Sequence, residues 1–337
     1  MMKKNLIAAA ALLAVAGAAN AQMSIYGLID MCYGKSLVSD VFLKDKGDVH
    51  SGGDNSSSEC NSTTRFGLKG SYEVAKDIKA NFKLESAGIK SNGSVGEPGQ
   101  AFFRRQAWAG FSGSFGEVRV GRQDSVPFQV MGDFDFNGQS NGVSAGAYSG
   151  VGSWNTGRQS RSIQYIAPTG GGLTAQFGLR VKGSNASQVE DGDKDSFSAA
   201  VKYAAGPVLV GAAIESKRDS TGKDFKSIAG SYDFGPAKVM ASYTDAGAFA
   251  SGGGGKGYML GVVAPVAGFT VGAHYANNSD SNLKIKSWEI FANKEIFKNT
   301  YGYIEAGDWK TSLAVNPLDP LARTKGTGAA AGVIFVF

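Results

Sequence analysis

The sequence predicts an all-β fold: a transmembrane antiparallel β-barrel of 16 strands, with a long third loop folded into the lumen. Three observations carry this. Apolar and polar residues alternate with period two along almost the whole chain after residue 21. The connections between the alternating runs switch regularly between short and long. One stretch, from Gly121 to Arg158, alternates with nothing for roughly thirty-five residues, and in a compact fold such a loop is usually either functional or a sign of a wrong assignment.

Residues 1–21 come off first. Lys3 and Lys4 precede an apolar run from Leu6 to Ala19, and Ala19-Asn20-Ala21 reads as a small-x-small cleavage signal. The run falls short of the roughly 20 apolar residues of a helical span, so a secretory signal peptide is expected, with the barrel over 22–337. The net charge of +5 includes both lysines, which leaves +3 for residues 22–337. That balance is mild and no basic run is interleaved with aromatics, so nucleic acid is not an expected partner.

The strands follow in order. In Ile78-Lys79-Ala80-Asn81-Phe82-Lys83-Leu84-Glu85 one face is apolar and the other charged; Leu173 to Lys182, Ser196 to Tyr203 and Ala237 to Thr244 repeat the pattern. The polar faces are too charged to lie against a second sheet, and the apolar faces end in Tyr203, Tyr243 and Tyr275, as at a lipid bilayer interface. Seven short turns are readable, at residues 74–77, 114–116, 169–172, 205–207, 234–236, 265–268 and 296–299. Eight longer polar loops fall between them, which implies sixteen strands. Short turns on one side and long loops on the other, with an even strand number, is the layout of outer-membrane barrels, and sixteen strands enclose an aqueous channel. The last strand places Ala331, Val333, Phe335 and the terminal Phe337 on one face, although Ile334 and Val336 depart from strict alternation.

Candidate chemistry is sparse. Cys32 and Cys60 allow one intramolecular disulfide in an exported chain, the alternative being two separate thiols. His50 and His274 are the chain's two histidines; His50 sits in a loop beside Ser51 and His274 lies on lumen parity, whereas a catalytic His should sit near the lipid face with an oriented nucleophile, so a lipid hydrolase is the weaker reading. No close-spaced ligand motif suggests a metal, and no cofactor is expected. The Gly252-Gly253-Gly254-Gly255 run lacks the Lys-Ser/Thr step of a phosphate loop. In the long loop, Asp133-Phe134-Asp135-Phe136 forms an acidic and aromatic knot; Phe134, Phe136, Tyr148 and Trp154 could stack on a ligand or pack the loop to the wall.

Several motifs taken together resemble the general trimeric porins of the Gram-negative outer membrane, in particular the β-proteobacterial and neisserial branch. They are Ser24-Ile25-Tyr26-Gly27-Leu28-Ile29-Asp30, Thr64-Arg65-Phe66-Gly67-Leu68-Lys69-Gly70, Arg105-Gln106-Ala107-Trp108-Ala109-Gly110-Phe111, Phe115-Gly116-Glu117-Val118-Arg119-Val120-Gly121-Arg122-Gln123 and the terminal Phe337. The resemblance implies a homotrimer that passes small hydrophilic solutes and ions through a constriction. An arginine cluster on the wall, matched here by Arg65, Arg105 and Arg158, would face acids on the inward loop, matched by Asp133 and Asp135. Parity places Arg65 on the lumen side, and puts Arg158 with Ser160, Ser162 and Gln164; Arg122 falls with Val118 and Val120, at the rim or a subunit contact. These arginines, with Lys69, Lys79, Lys83, Arg180 and Lys182 also on lumen parity, outnumber the visible acids, so a preference for anions is expected. A substrate-selective channel or an adhesin on the same barrel is the alternative.

Overall fold

The computed structural model describes residues 22–37, 47–152, 157–183, 194–217, 223–245, 255–280, 283–311 and 325–337. The expected signal peptide, Trp154 and Gly252 to Gly254 lie outside them. Among the described residues the strands are β1 (Gln22–Lys35), β2 (Asp48–Ser51), β3 (Arg65–Ala75), β4 (Ile78–Glu85), β5 (Gln106–Gly113), β6 (Gly116–Asp124), β7 (Arg158–Ile166), β8 (Leu173–Arg180) and β9 (Ser196–Ala205). The second half adds β10 (Val208–Glu215), β11 (Phe225–Asp233), β12 (Lys238–Asp245), β13 (Lys256–Val266), β14 (Phe269–Asp280), β15 (Leu283–Phe297), β16 (Thr300–Thr311) and β17 (Lys325–Val336).

From β3 onward each strand pairs antiparallel with the next, and β17 returns to β1, which also pairs with β3. The ring is therefore closed on 16 strands. The short β2 is an addition from the first loop, laid against Met31 to Gly34 of β1. Closure leaves no free edge, as a lipid environment demands of any spanning sheet.

The burial pattern is inside out relative to a water-soluble sheet. In β15, Trp288 and Ile290 are exposed while Ser287 and Glu289 are buried; in β9, Phe197 and Val201 are exposed while Ser196 and Ser198 are buried. The chain ends on β1: the Gly27 amide donates to the Phe337 carbonyl at 2.9 Å, and the Phe337 amide returns a bond to Gly27 at 3.1 Å. A Cβ on Gly27 would lie 2.3 Å from the Phe337 ring, so glycine is what lets the ring lie there. Ile334, which breaks the alternation, packs inward on the Cys32, Cys60 and Tyr303 cluster. Cys32 and Cys60 are joined by a disulfide that ties the first loop to β1.

One parity expectation is corrected. Gly121 faces Ser162 but Gln123 faces Gln159, so β7 carries a bulge around Ser160 and Arg161. Arg161 there has φ +52°. The side chains on either side of a bulge no longer share a face. Gln159 is buried and donates to Glu215 at 2.8 Å, whereas Ser160 accepts from Arg122 at 2.8 Å. Ser160 thus joins Arg122 instead of Ser162 and Gln164, and the same shift takes Arg158 off their parity, setting it opposite Asp124 at the strand end. Arg122 also donates to the Arg104 carbonyl.

The long loop between β6 and β7 lies inside the barrel. Ser125 caps a short helix, Val126–Met131, by accepting from the Phe128 amide at 3.2 Å, with Pro127 in the first turn. A 3₁₀ turn, Gly132–Phe134, follows, then a second helix, Ala145–Ser149, capped by Ser144 and ended by Gly150 at φ +77°. Val126, Val130, Met131 and Phe134 are buried against Ala200, Ala213, Ala229, Met240 and Met259, wall residues on the face opposite the lipid-exposed ones. Each such side chain removed from water contributes about 1.5–3 kcal/mol, so the loop is held by a small core of its own.

Candidate channel constriction

The arginine side of the site sits where several strands end together. Arg65 opens β3, Arg158 opens β7, and Arg105 directly precedes β5; Glu85 and Asp124 close β4 and β6. Glu85 is paired with Gly67 on one side and Gln106 on the other. Its Oε1 is 2.7 Å from Arg105 Nε and 3.7 Å from Arg65 Nε, and its Oε2 is 3.6 Å from Lys83 Nζ. Tyr26 donates its hydroxyl to Oε2 at 2.8 Å. A Cβ on Gly67 would come within 2.4 Å of the Tyr26 ring, so Gly67 gives that tyrosine its path to the carboxylate.

Asp124 plays the same part for the third arginine. Its Oδ1 is 3.0 Å from Arg158 Nε, and its Oδ2 accepts from Gln106 at 2.7 Å. The Arg158 guanidinium lies 5.7 Å from the Phe128 ring centroid. The structure thus gathers Arg65 and Arg105 on Glu85 and Arg158 on Asp124, and Gln106, opposite Glu85 in register, joins the two groups through its bond to Asp124. Four cations, counting Lys83, meet two carboxylates. Along the same wall Lys69 and Lys83 each stand 5.3 Å from the Tyr26 ring centroid, and Arg119 lies 4.5 Å from that of Trp108.

The loop acids are not brought to the arginines. Asp133 pairs with Lys202 at 2.5 Å, and Asp135 accepts from the Ser144 hydroxyl and the Asn137 amide, each at 3.0 Å. The reason is the loop's own core. Packing Val126, Val130 and Phe134 on the wall of β9 to β13 sets Asp133 and Asp135 down beside that wall. The acids that do partner the arginines, Glu85 and Asp124, are wall residues that sequence reasoning missed.

A second cluster fixes the loop tip. His274 Nε2 accepts the Phe136 amide at 3.2 Å, and Nδ1 is 2.8 Å from Glu289 Oε1. Glu289 also accepts from Asn137 at 3.0 Å and from the Ala145 amide at 3.2 Å; Glu305 accepts from Ser140, Asn61 and Asn137. Asp135, His274 and Glu289 offer ligand atoms within 4.8 Å of one another, which raises the question of a metal. Hydrogen bonding answers it. A ring nitrogen that accepts the Phe136 amide has no proton, so the ring proton is on Nδ1 and points at Glu289 as a donor, not as a ligand. The sequence signal for this cluster was His274 on the lumen parity; its cross-strand partner Glu289 needs the register of β14 on β15.

The loop aromatics serve packing. Phe134 is buried, the Phe136 ring centroid is 5.6 Å from that of His274, and Tyr148 donates to the Asn141 carbonyl at 2.8 Å. Burial beside Glu59 and Glu305 pushes the Tyr148 phenol well above the usual tyrosine value. From the loop, Asn141 reaches across to Thr63 Oγ1 at 3.2 Å, the hydroxyl that Arg105 also contacts at 3.2 Å. The loop therefore runs from one wall to the edge of the arginine cluster.

Known proteins match this arrangement over nearly its whole length. Residues 8–312 match the family described as Gram-negative porin. Outer membrane porin protein 32 of Delftia acidovorans is 30% identical over 335 residues, covering 94% of this chain and 88% of that protein. An outer membrane porin protein of Bordetella pertussis is 30% identical over 325 residues, covering 86% and 80%. Among solved structures, the anion-selective porin from Comamonas acidovorans superposes with a TM-score of 0.71 at 24% identity, over 94% of this chain and all of that one. OmpT of Vibrio cholerae in its trimer form gives 0.64 at 13%, with the same coverage. A closed 16-stranded barrel with an inward loop, matched in sequence along almost all of its length, belongs to the Gram-negative porin family, the channel proteins of the outer membrane.

Proposed function

We propose that the channel passes small hydrophilic solutes by diffusion, without turnover, and prefers anions at a constriction governed by Arg65, Arg105 and Arg158. The observation that carries this is the charge balance on the wall: with Lys83, four cations stand against Glu85 and Asp124. Arginine keeps its charge in any protein setting, and in a confined low-dielectric channel that charge is less screened than in bulk water. Glu85 and Asp124 orient the guanidiniums without cancelling them. Asp133 and Asp135, engaged by Lys202 and by the loop itself, add little to the field at the arginines. A solved neighbour described as anion-selective agrees with this reading, and one described as a trimer agrees with a homotrimer.

The test is the zero-current potential of the purified protein in a planar bilayer under a salt gradient, for the natural chain and an Arg65→Gln/Arg105→Gln variant. The natural chain gives a potential of anion sign and the variant moves toward the cation side. A cation-selective natural channel sinks the proposal.

A further inference from the structure

Across β14 to β17 and onto β1 and β2 the outer wall is hollowed. Two neighbouring cross-strand rows run there. In one, Lys294 faces Gly302, which faces Val333, which faces Met31; in the other, Ala292 faces Ile304, then Ala331, Tyr33 and Val49. Gly302 and Ala331 have almost no side chain, while Ile304, Tyr33 and Val49 around them are each about 60% exposed. The result is an open trough of about 610 Å³, within the ~300–1,000 Å³ usual for ligand sites.

One end of the trough is charged. Lys294 Nζ lies 5.0 Å from the Phe269 ring centroid, and a Cβ on Gly268 would be 3.4 Å from it. That puts the ammonium beside the short turn joining β13 to β14, on the periplasmic side where short turns lie. A lysine on the lipid face is costly near the midplane and tolerated at the headgroup level, where it can meet an anionic head. An apolar trough that starts at such a cation has the shape and charge of an anionic amphiphile.

We propose that this trough holds one anionic glycerophospholipid, with an acyl chain over Gly302 and Ala331 and the phosphate at Lys294. A neutral lipid would use the trough but not the lysine. A second copy of the chain would fill the trough with side chains and bring no phosphate. The trough lies on the outer wall, apart from the arginine cluster.

The test is native mass spectrometry of the full chain from detergent, titrated with phosphatidylglycerol, with phosphatidylcholine, and with inorganic phosphate. The natural chain retains phosphatidylglycerol about fivefold better than phosphatidylcholine, the worth of one lysine at an anionic surface, and does not retain phosphate alone. Lys294→Gln abolishes the preference between the two lipids. Gly302→Leu lowers retention of both; at that position an added Cβ meets Ile296 at an ordinary 3.6 Å, so the barrel accepts it. Single-channel conductance, measured in parallel, is unchanged in both variants and reports that the barrel is folded. Equal retention of the two lipids by the natural chain, or phosphatidylglycerol bound as well by both variants, overturns the proposal. So does a Gly302→Leu chain that changes oligomeric state with lipid retention intact, which would give the trough to a second copy.

Discussion

Glu289→Gln should release the inward loop without disturbing the barrel. Glu289 is buried, and its two oxygens receive three donors: His274 Nδ1 at 2.8 Å, the Ala145 amide at 3.2 Å and Asn137 Nδ2 at 3.0 Å. A glutamine has one acceptor oxygen and one amino group, so whichever way it turns, a donor faces a donor. Asn137 cannot resolve this by rotating its own amide. Its Oδ1 accepts from Asn61 at 3.2 Å, and its Nδ2 also donates to Glu305 at 3.1 Å.

The substitution thus loses at least one charge-assisted bond and strands one buried donor. Bonds to charged groups contribute about 1.5–3 kcal/mol, and a stranded buried donor costs about 1–3 kcal/mol. A central value of about 3 kcal/mol is roughly a hundredfold in the opening equilibrium of the loop. The assay is amide hydrogen exchange on the folded protein. Phe136, whose amide is held by His274, and Ala145, held by Glu289, should exchange roughly a hundredfold faster in the variant, with the amides of β9 unchanged. Unchanged exchange at these two amides would refute the pinning argument. An equal acceleration in β9 would refute the claim that the loop moves separately from the wall.

Two further outcomes follow from the same geometry. Replacing Cys32 or Cys60 with Ser opens a crosslink across a sequence separation of 28 and should cost about 3.5 kcal/mol by the chain-entropy model, read as a lower thermal midpoint that the natural chain reproduces under reductant. Tyr148 has its folded-state phenol raised by burial beside Glu59 and Glu305, so its contribution to loop docking is complete below the usual tyrosine pKa of about 10 and is lost as the pH rises above it. Tyrosinate absorbance and conductance titrated together should show an alkaline step in the natural channel that Tyr148→Phe lacks.

What the sequence made legible is what a strand's period two encodes. Parity distinguishes lipid face from lumen face within one strand, and it located Arg65, Lys69 and Lys83 on the wall. It says nothing of which residues on different strands meet, because that depends on register. Glu85 lies 20 residues from Arg105 in the chain and 2.7 Å from it in space, since both fall at the level where β4 ends and β5 begins. Parity also fails silently at a bulge. Nothing about Ser160-Arg161 announces one, because the residue that takes the positive φ is an arginine and not a glycine. The loop acids show a different failure. Asp133 and Asp135 stand out as the acids of the long loop, yet the residues that orient the loop are Val126, Val130 and Phe134, spaced four apart as on one face of a helix. That stripe was present in the sequence, and it fixes which side of the loop meets the wall before any acid finds a partner. Burying it is worth several kcal/mol, more than one exposed ion pair can return, so packing places the acids and electrostatics works with what packing leaves. The arginines then had to find their counter-charges on their own wall, where Glu85 and Asp124 already stood at the strand ends.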